Sequence, residues 1–144
     1  MSKYTKEDVV RIVRERDVHF IHMQFTDIFG QLKSVTLPAS QIEKAVGGEI
    51  MFDGSSIEGY TRIEESDQYL RPDLDTFALL PWDRDAGVSA RMICDVYNPD
   101  GTPFAGDPRG VLHRVMAEAA DMGYTFNVGP ECEFFLFKTG ADAG

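Results

Sequence analysis

The sequence predicts an α+β fold built on one compact sheet, and three observations predict it. First, residues 18–25 and 32–38 carry strand-like apolar patterns on either side of a short turn, as the two strands of a hairpin do. Second, residues 38–46 have the composition of a short helix that two glycines end. Third, residues 76–82 and 90–98 are two further strand-like runs joined by an acidic, glycine-containing turn. A hairpin, a helix and returning strands together favour a compact α+β sheet ending near residue 98.

A short helix is expected before this sheet, within residues 1–16. Thr5 is a residue type that caps helices, and Asp8 follows it three positions later, as in a capping box. The apolar stripe of this helix is formed by Val9, Ile12 and Val13. The N-terminal segment therefore begins with a capped amphipathic helix.

A brief strand is predicted from Ile50 to Phe52, and a polar turn follows it. Residues 98–108 are dense in Pro, Gly, Asn and Asp, which is typical of a domain boundary. Asp107 and Pro108 then provide the cap and first turn of a helix expected to run to about residue 122.

Two more strands are predicted after that helix, at residues 124–129 and 131–137. One helix and two strands cannot bury both faces of a sheet, so residues 104–144 are interpreted as the opening of a larger domain. The predicted organisation is an N-terminal helix in residues 1–16, a sheet domain in residues 17–99, and the truncated start of a second domain in residues 100–144.

Composition limits the classes of function. A hydrophobic fraction of 43% supports a real core, and a net charge of −10 disfavours binding to nucleic acid or an anionic membrane. The two cysteines lack the spacing of a zinc site, and no run of residues has transmembrane length. A protein of the cytoplasm is the expectation.

Glu131 and Glu133 are the first candidate functional residues. On a strand their side chains share one face, about 6–7 Å apart at the backbone. Like charges this close repel unless a cation lies between them, so divalent metals with oxygen ligands are one interpretation. The alternative is a pair of solvated acids at a strand end, and the short motif alone favours that alternative.

Asp53 is the second candidate, because it places a carboxylate in a small polar turn at the end of an apolar strand. The alternative is that Asp53 only caps its own turn, since Asp-Gly-Ser-Ser is a common turn composition. Arg62 is the lone base in the acidic run that follows, and its simplest role is a local counter-ion.

Four segments in combination resemble glutamine synthetase. "FDGSS", then eight residues, then "ESDQYL" is similar to the N-terminal signature of that family, and "QFTDIFGQLKSVTLP" is similar to its first hairpin. "YNPDGTPFAGDPR" and "GPECEFFLF" resemble its entry to the catalytic domain. The resemblance covers residues 4–138 in the family's order and is closest to the bacterial type, in the subgroup regulated by glutamine feedback.

The resemblance implies a β-grasp-like domain followed by the start of an antiparallel, metal-lined catalytic domain. It implies an ATP-dependent ligase that joins ammonia to glutamate through a γ-glutamyl phosphate, with Mg²⁺ or Mn²⁺ at two or more sites. It assigns Asp53 and Ser56 to the ammonium site, Glu133 to the metal serving glutamate and ammonium, Glu131 to the metal serving the nucleotide, and Arg62 to glutamine feedback. Subunits would stack as two hexameric rings, a homododecamer, in which this loop enters the neighbour's active site.

Two alternatives remain open at this point. A γ-glutamyl ligase acting on another amine would share these motifs. The 144-residue chain by itself is expected to be inactive, and would then act only as a β-grasp module for binding or assembly.

Overall fold

The computed structural model describes residues 3–61, 66–82 and 87–137. The elements in chain order are α1 (Lys6–Glu15), β1 (Val18–Thr26), β2 (Leu32–Pro38), α2 (Ile42–Gly47), β3 (Ile50–Asp53), β4 (Asp67–Leu79), β5 (Val88–Tyr97) and α3 (Pro108–Asp121). Single 3₁₀ turns, Ala39–Gln41 and Gly54–Ser56, precede α2 and follow β3. The strands form one five-stranded sheet in the order β2-β1-β5-β4-β3. Only the β1–β5 pair among these is parallel, so the α+β prediction is confirmed as a mixed sheet.

The N-terminal helix begins with the capping box that the sequence predicts. The backbone N–H of Asp8 donates to Thr5 Oγ1 at 3.1 Å, and the backbone N–H of Thr5 donates to Asp8 Oδ2 at 3.1 Å. A cap of this kind stabilises a helix by about 1 kcal/mol. Val9 and Val13, from the apolar stripe of α1, are buried in the core. The sequence therefore specifies both where this helix begins and which face it buries.

The core lies between the two helices α1 and α2 and one face of the sheet. In β1 the side chains of Ile21, Met23 and Phe25 alternate with partly exposed ones and are buried. In the parallel neighbour β5, Ala90 and Met92 pair with Ile21 and Met23 and are fully buried. The central strands thus present a continuous apolar layer, and helix α2 closes it with Ile42, Ala45 and Val46.

Strand β4 is longer than the sequence predicts. It begins at Asp67, in the acidic run that follows Asp53, and pairs with β3 over residues 67–70 and with β5 from Tyr69 onward. Its pairing with β5 shifts register between Asp73 and Ala78. There the hydroxyl of Thr76 donates to the carbonyl of Asp73 at 2.6 Å and accepts the backbone N–H of Ile93 at 2.8 Å. This side chain completes the hydrogen bonds that the irregular backbone cannot make.

Helix α3 begins where the sequence predicts, at a capped and charged junction. Asp107 accepts the backbone N–H of Arg109 at 3.1 Å and, through its other oxygen, that of Val96 at 3.0 Å. The guanidinium of Arg109 donates to Asp73 at 2.6 Å and to Asp95 at 2.8 Å. These bonds attach the start of α3 to strands β4 and β5.

The two strands predicted after α3 are not formed in the described residues, so that prediction is wrong here. Residues 124–137 have no regular secondary structure, and Leu136 is 90% exposed. A strand is stabilised by hydrogen bonds to a neighbouring strand, and no strand of the described ranges pairs with this segment. Its apolar sequence alone therefore does not produce a sheet.

Candidate functional site

The turn that follows β3 holds the carboxylate of Asp53 in a fixed direction. Asp53 Oδ1 accepts the backbone N–H of Ser55 at 2.9 Å and its hydroxyl at 2.6 Å, while Oδ2 accepts the hydroxyl of Ser56 at 2.9 Å. The two serine hydroxyls, Ser55 first, lower the pKa of Asp53 below its usual value because they donate to the ionised form. Asp53 and Ser56 are both exposed. The turn thus presents an ionised carboxylate to solvent.

These bonds are the ones expected if Asp53 caps its own turn, and they leave room for a second role. A carboxylate offers about four lone-pair positions, and the turn uses three of them. Oδ2 keeps an acceptor position that these three bonds do not use. The turn geometry therefore orients the carboxylate and does not use all of its acceptor positions.

Gly54 attaches this turn to the beginning of β4. Its backbone N–H donates to the carbonyl of Ser66 at 2.7 Å. A Cβ at this position would lie 2.7 Å from Gln68 Cγ, 3.0 Å from Thr61 Oγ1 and 3.2 Å from the Ser66 carbonyl oxygen. The close approach leaves space for no side chain, so glycine is required by packing.

Tyr60 anchors the far end of the same loop. Its hydroxyl donates to the carbonyl of Thr26 at 2.5 Å, and its buried ring contacts Phe25 and Phe104 with centroids 6.1 and 5.2 Å away. Burial raises the pKa of the Tyr60 phenol, so the hydroxyl remains a donor. Sequence analysis missed this anchor, although a tyrosine near Ile57 in a loop rich in Gly, Ser and Glu is a sign of one.

A buried carboxylate that sequence analysis also missed lies in the β1–β2 turn, next to the Tyr60 anchor. Asp27 is 2% exposed and accepts the backbone N–H groups of Phe29 and Gln31 at 2.9 and 2.8 Å. Burial alone would raise the pKa of Asp27. The bonds from the backbone, with Lys33 Nζ at 3.2 Å, outweigh burial and lower it. Asp27 therefore shapes the hairpin turn as an ionised group.

Glu131 and Glu133 lie in the exposed segment after α3, and both are exposed. Two residues further on, the rings of Phe135 and Phe137 lie 6.3 Å apart, as alternate side chains on one side of an extended chain do. Oxygen donors suit a hard divalent cation, but such ions take six or more ligands. Within residues 3–61, 66–82 and 87–137, no group of three or more His, Cys, Asp or Glu side chains could hold a metal ion. Arg62 lies outside the described residues.

No helix in the described part of the chain is both long and apolar enough to cross a bilayer. Both cysteines of the chain are free thiols, Cys94 in the core and Cys132 at the surface. Burial raises the pKa of the Cys94 thiol to about 12, so this group stays protonated.

The mixed five-stranded sheet with helices packed on it defines a β-grasp domain, and family comparison agrees. The family model described as the β-grasp domain of glutamine synthetase matches residues 17–99. The model described as the catalytic domain of glutamine synthetase matches residues 105–144. The chain belongs to the glutamine synthetase family. The β-grasp fold and the family resemblance seen in the sequence are both confirmed.

Individual relatives are close in sequence. A glutamine synthetase of Clostridium saccharobutylicum is 63% identical over 139 residues, which cover 96% of this chain and 31% of that protein. A glutamine synthetase of Staphylococcus aureus strain Mu50 is 58% identical over 136 residues, covering 94% of this chain and 30% of that protein. The chain thus spans about three tenths of the length of these curated relatives.

Solved structures have the same fold. A GmaS–ADP complex is similar with a TM-score of 0.71 and 28% identity, over 80% of this chain and 26% of that one. The cryo-EM structure of Plasmodium falciparum glutamine synthetase is similar with a TM-score of 0.73 and 20% identity, over 85% of this chain and 24% of that one. At 20% identity, the similarity to the Plasmodium falciparum protein concerns the fold alone.

Proposed function

We propose that the protein containing this chain is a glutamate–ammonia ligase that uses ATP and forms a γ-glutamyl phosphate. The observation that carries the proposal is the Asp53 turn, an oriented and ionised carboxylate in a chain 63% identical to a glutamine synthetase. Similarity to a chain solved with ADP supports a nucleotide as co-substrate. The protein would act in the cytoplasm, which its free thiols support.

Asp53 and Ser56 would form the ammonium side of the site. The pKa of Asp53 is lowered, so this carboxylate is a weak base toward an ammonium ion, whose pKa is near the value of about 10 for lysine. Its first task is therefore to attract the cation and replace part of its hydration shell. Proton loss would accompany the attack of ammonia on the acyl phosphate.

Glu131 and Glu133 would each supply a carboxylate to a divalent cation, Mg²⁺ or Mn²⁺. Their oxygen donors suit these ions, and both side chains are exposed. When bound, the metals would neutralise phosphoryl oxygens and orient the transferred group. Glu131 would serve the nucleotide side and Glu133 the side of glutamate and ammonium.

The site would be shared between subunits of stacked hexameric rings. The Asp53 turn is attached to the β-grasp sheet through the Gly54 N–H, and its carboxylate is exposed, so a neighbouring subunit could reach it. Arg62 would link the same loop to feedback by glutamine, and Arg62→Ala should then weaken inhibition by glutamine more than it raises KM for glutamate.

The test is ATP-dependent formation of glutamine by the protein that contains this chain. We expect activity with ammonia that requires Mg²⁺ or Mn²⁺ and disappears on chelation. Mixing Asp53→Asn subunits with Glu133→Gln subunits should restore part of the activity, because a mixed interface combines an intact turn with an intact metal ligand. Activity with a polyamine but not with ammonia would instead favour a γ-glutamyl ligase for another amine. No recovery in verified mixed rings would contradict the shared site.

A further inference from the structure

A groove lies against β4, between the end of α2 and the turn that follows β5. It has a volume of about 440 Å³, which is within the roughly 300–1,000 Å³ typical of small-molecule sites. Because β4 lies between β3 and β5, its Tyr69 and Arg71 lie between the lining residue that precedes β3, Glu49, and one that follows β5, Pro99. The charges of Glu49 and Arg71 define what the groove can bind.

The side chain of Arg71 is held in place by packing. Its guanidinium lies over the ring of Tyr97, with Cζ 3.9 Å from the ring centroid. A Cβ at Gly48 would lie 3.1 Å from Arg71 Cγ, and a Cβ at Gly101 would lie 3.4 Å from Arg71 Nη2. The two glycines therefore leave the space through which the arginine passes. A guanidinium stacked on an aromatic ring keeps the N–H groups at its edge available, so Arg71 is oriented as a donor.

No carboxylate in the described part of the chain pairs with Arg71. Asp95 is directly opposite Arg71 on β5. However, Arg109 Nη1 donates to Asp95 Oδ1 at 2.8 Å, so this carboxylate already has a partner. Within the described residues, stacking on Tyr97 is the interaction that the Arg71 guanidinium makes. Because Arg71 is exposed, its N–H groups are accessible to a ligand in the groove.

Glu49 brings a negative charge to the same groove. A Cβ at Gly47 would lie 2.9 Å from Glu49 Oε1, so the carboxylate lies over the glycine next to the one on which Arg71 packs. Glu49 is exposed, and its carboxylate forms no ion pair or hydrogen bond with a described residue, Arg71 included. The groove therefore carries a cation and an anion that lie on adjacent glycines and do not neutralise each other.

The two separate charges select a ligand that carries both signs. A simple anion would meet Glu49 and the net charge of −10, and a simple cation would meet Arg71. An α-amino acid has a carboxylate that matches the edge of the guanidinium and an ammonium group that matches the Glu49 carboxylate. Tyr69 and Pro99 offer apolar surface for an aliphatic side chain. A zwitterionic amino acid therefore matches both charges that the described residues leave unpaired.

We propose that this groove binds an α-amino acid with an aliphatic side chain. Its carboxylate accepts the N–H groups of Arg71, its ammonium group donates to Glu49, and its side chain lies against Tyr69. The site is separate from the Asp53 turn, because Glu49 precedes β3 and Asp53 ends it. No step of the proposed ligation involves the groove, so the two proposals stand independently.

The test measures binding and needs no catalytic activity, so its outcome is independent of the proposed reaction. L-Leucine, L-leucinamide and N-acetyl-L-leucine are titrated calorimetrically at pH 7 and equal ionic strength. L-Leucinamide lacks the carboxylate, and N-acetyl-L-leucine lacks the ammonium group. We expect saturable binding of L-leucine, with one site per chain, and binding of both analogues weaker by about tenfold or more, because each loses a charge-assisted hydrogen bond. L-Leucine should also raise Tm, because a ligand bound only to the folded state stabilises it.

Two pairs of variants locate the binding. Arg71→Met keeps an unbranched side chain and removes its charge, and Glu49→Gln removes the charge of the acid and keeps its shape. Each should weaken L-leucine binding by about tenfold or more while circular dichroism stays unchanged. Arg91→Met on β5 and Glu118→Gln on α3 are the matched controls, because neither residue lines the groove, and both should leave binding unchanged. If one groove variant does not fold, the other decides the outcome.

Three results would overturn the proposal. Absence of saturable binding would mean that water solvates Arg71 and Glu49, as is usual for exposed charges. Equal binding of L-leucine and one analogue would mean that the charge missing from that analogue is not recognised. Binding that survives both Arg71→Met and Glu49→Gln would place the amino acid elsewhere in the protein, including the substrate site of the proposed ligase.

Discussion

Replacing Gly54 by alanine tests whether the Asp53 turn depends on its close packing against β4. The added methyl group would lie 2.7 Å from Gln68 Cγ and 3.2 Å from the backbone oxygen of Ser66, both closer than ordinary contacts. Gln68 is buried and cannot simply move into solvent, and the Ser66 oxygen belongs to the backbone. Overpacking of this kind costs about 1–3 kcal/mol. We therefore expect urea unfolding to give a free energy lower by about 2 kcal/mol, with a Tm several degrees lower.

Gly129→Ala is the matched control, because a Cβ at Gly129 would meet no atom within 4 Å. Its free energy of unfolding should change by less than about 0.5 kcal/mol. If the protein is active, Gly54→Ala should also raise KM for ammonia, since the turn that carries Asp53 must shift. Equal stability of the two alanine variants would refute the packing argument, whatever the enzyme assay gives.

Three further predictions concern single side chains. Tyr60→Phe removes the bond to the Thr26 carbonyl and should lower the free energy of unfolding by about 1 kcal/mol; an unchanged urea midpoint would mean that the hydroxyl bond contributes nothing. Asp53→Asn should reduce turnover with ammonia about 10²–10⁴-fold while the fold stays intact by circular dichroism, and near-normal turnover would restrict Asp53 to a turn role. The pKa of Asp27 is lowered in the folded state, so its stabilisation is present above its unfolded pKa of about 4 and is lost as pH falls toward the folded value. Asp27→Asn, which also weakens the contact with Lys33, should make the free energy of unfolding depend less on pH on the acid side. The same acid-side slope in the variant and the wild-type chain would contradict this.

The parts of the fold that could be predicted from the sequence are those specified by neighbours along the chain. Thr5 and Asp8 are three residues apart, and they form the predicted capping box. Asp107 and Pro108 likewise begin α3 as expected. Such signals need no tertiary information, because the groups that interact are within one turn of each other.

The parts that could not be predicted depend on distant partners. The first half of β4 carries Asp67, Asp73 and a proline, a composition typical of a loop, and it becomes a strand because β3 and β5 pair with it. Residues 124–137 show the reverse case, in which apolar residues form no strand without a partner. The presence or absence of a neighbouring strand therefore determines whether each segment forms a strand.

The candidate site divides in the same way. The bonds from Ser55 and Ser56 to Asp53 are local, so the sequence predicts an acidic polar turn there. The anchor from Tyr60 to Thr26 joins residues 34 positions apart, and only the structure identifies it. That this turn binds a cation is a prediction from the family resemblance.

The parallel pairing of β1 with β5 has a consequence for how the sheet assembles. Met23 and Met92 are adjacent in the centre of the sheet, although nearly the whole β-grasp region separates them along the chain. The β1–β2 hairpin can form as soon as both strands have left the ribosome. The other edge of β1, which pairs with β5, stays unpaired until β5 has been synthesised. During that interval the edge exposes unpaired backbone groups next to apolar side chains, which is the arrangement that promotes aggregation. Nascent chains ending before Val88 should therefore require chaperones more than chains extending beyond Tyr97.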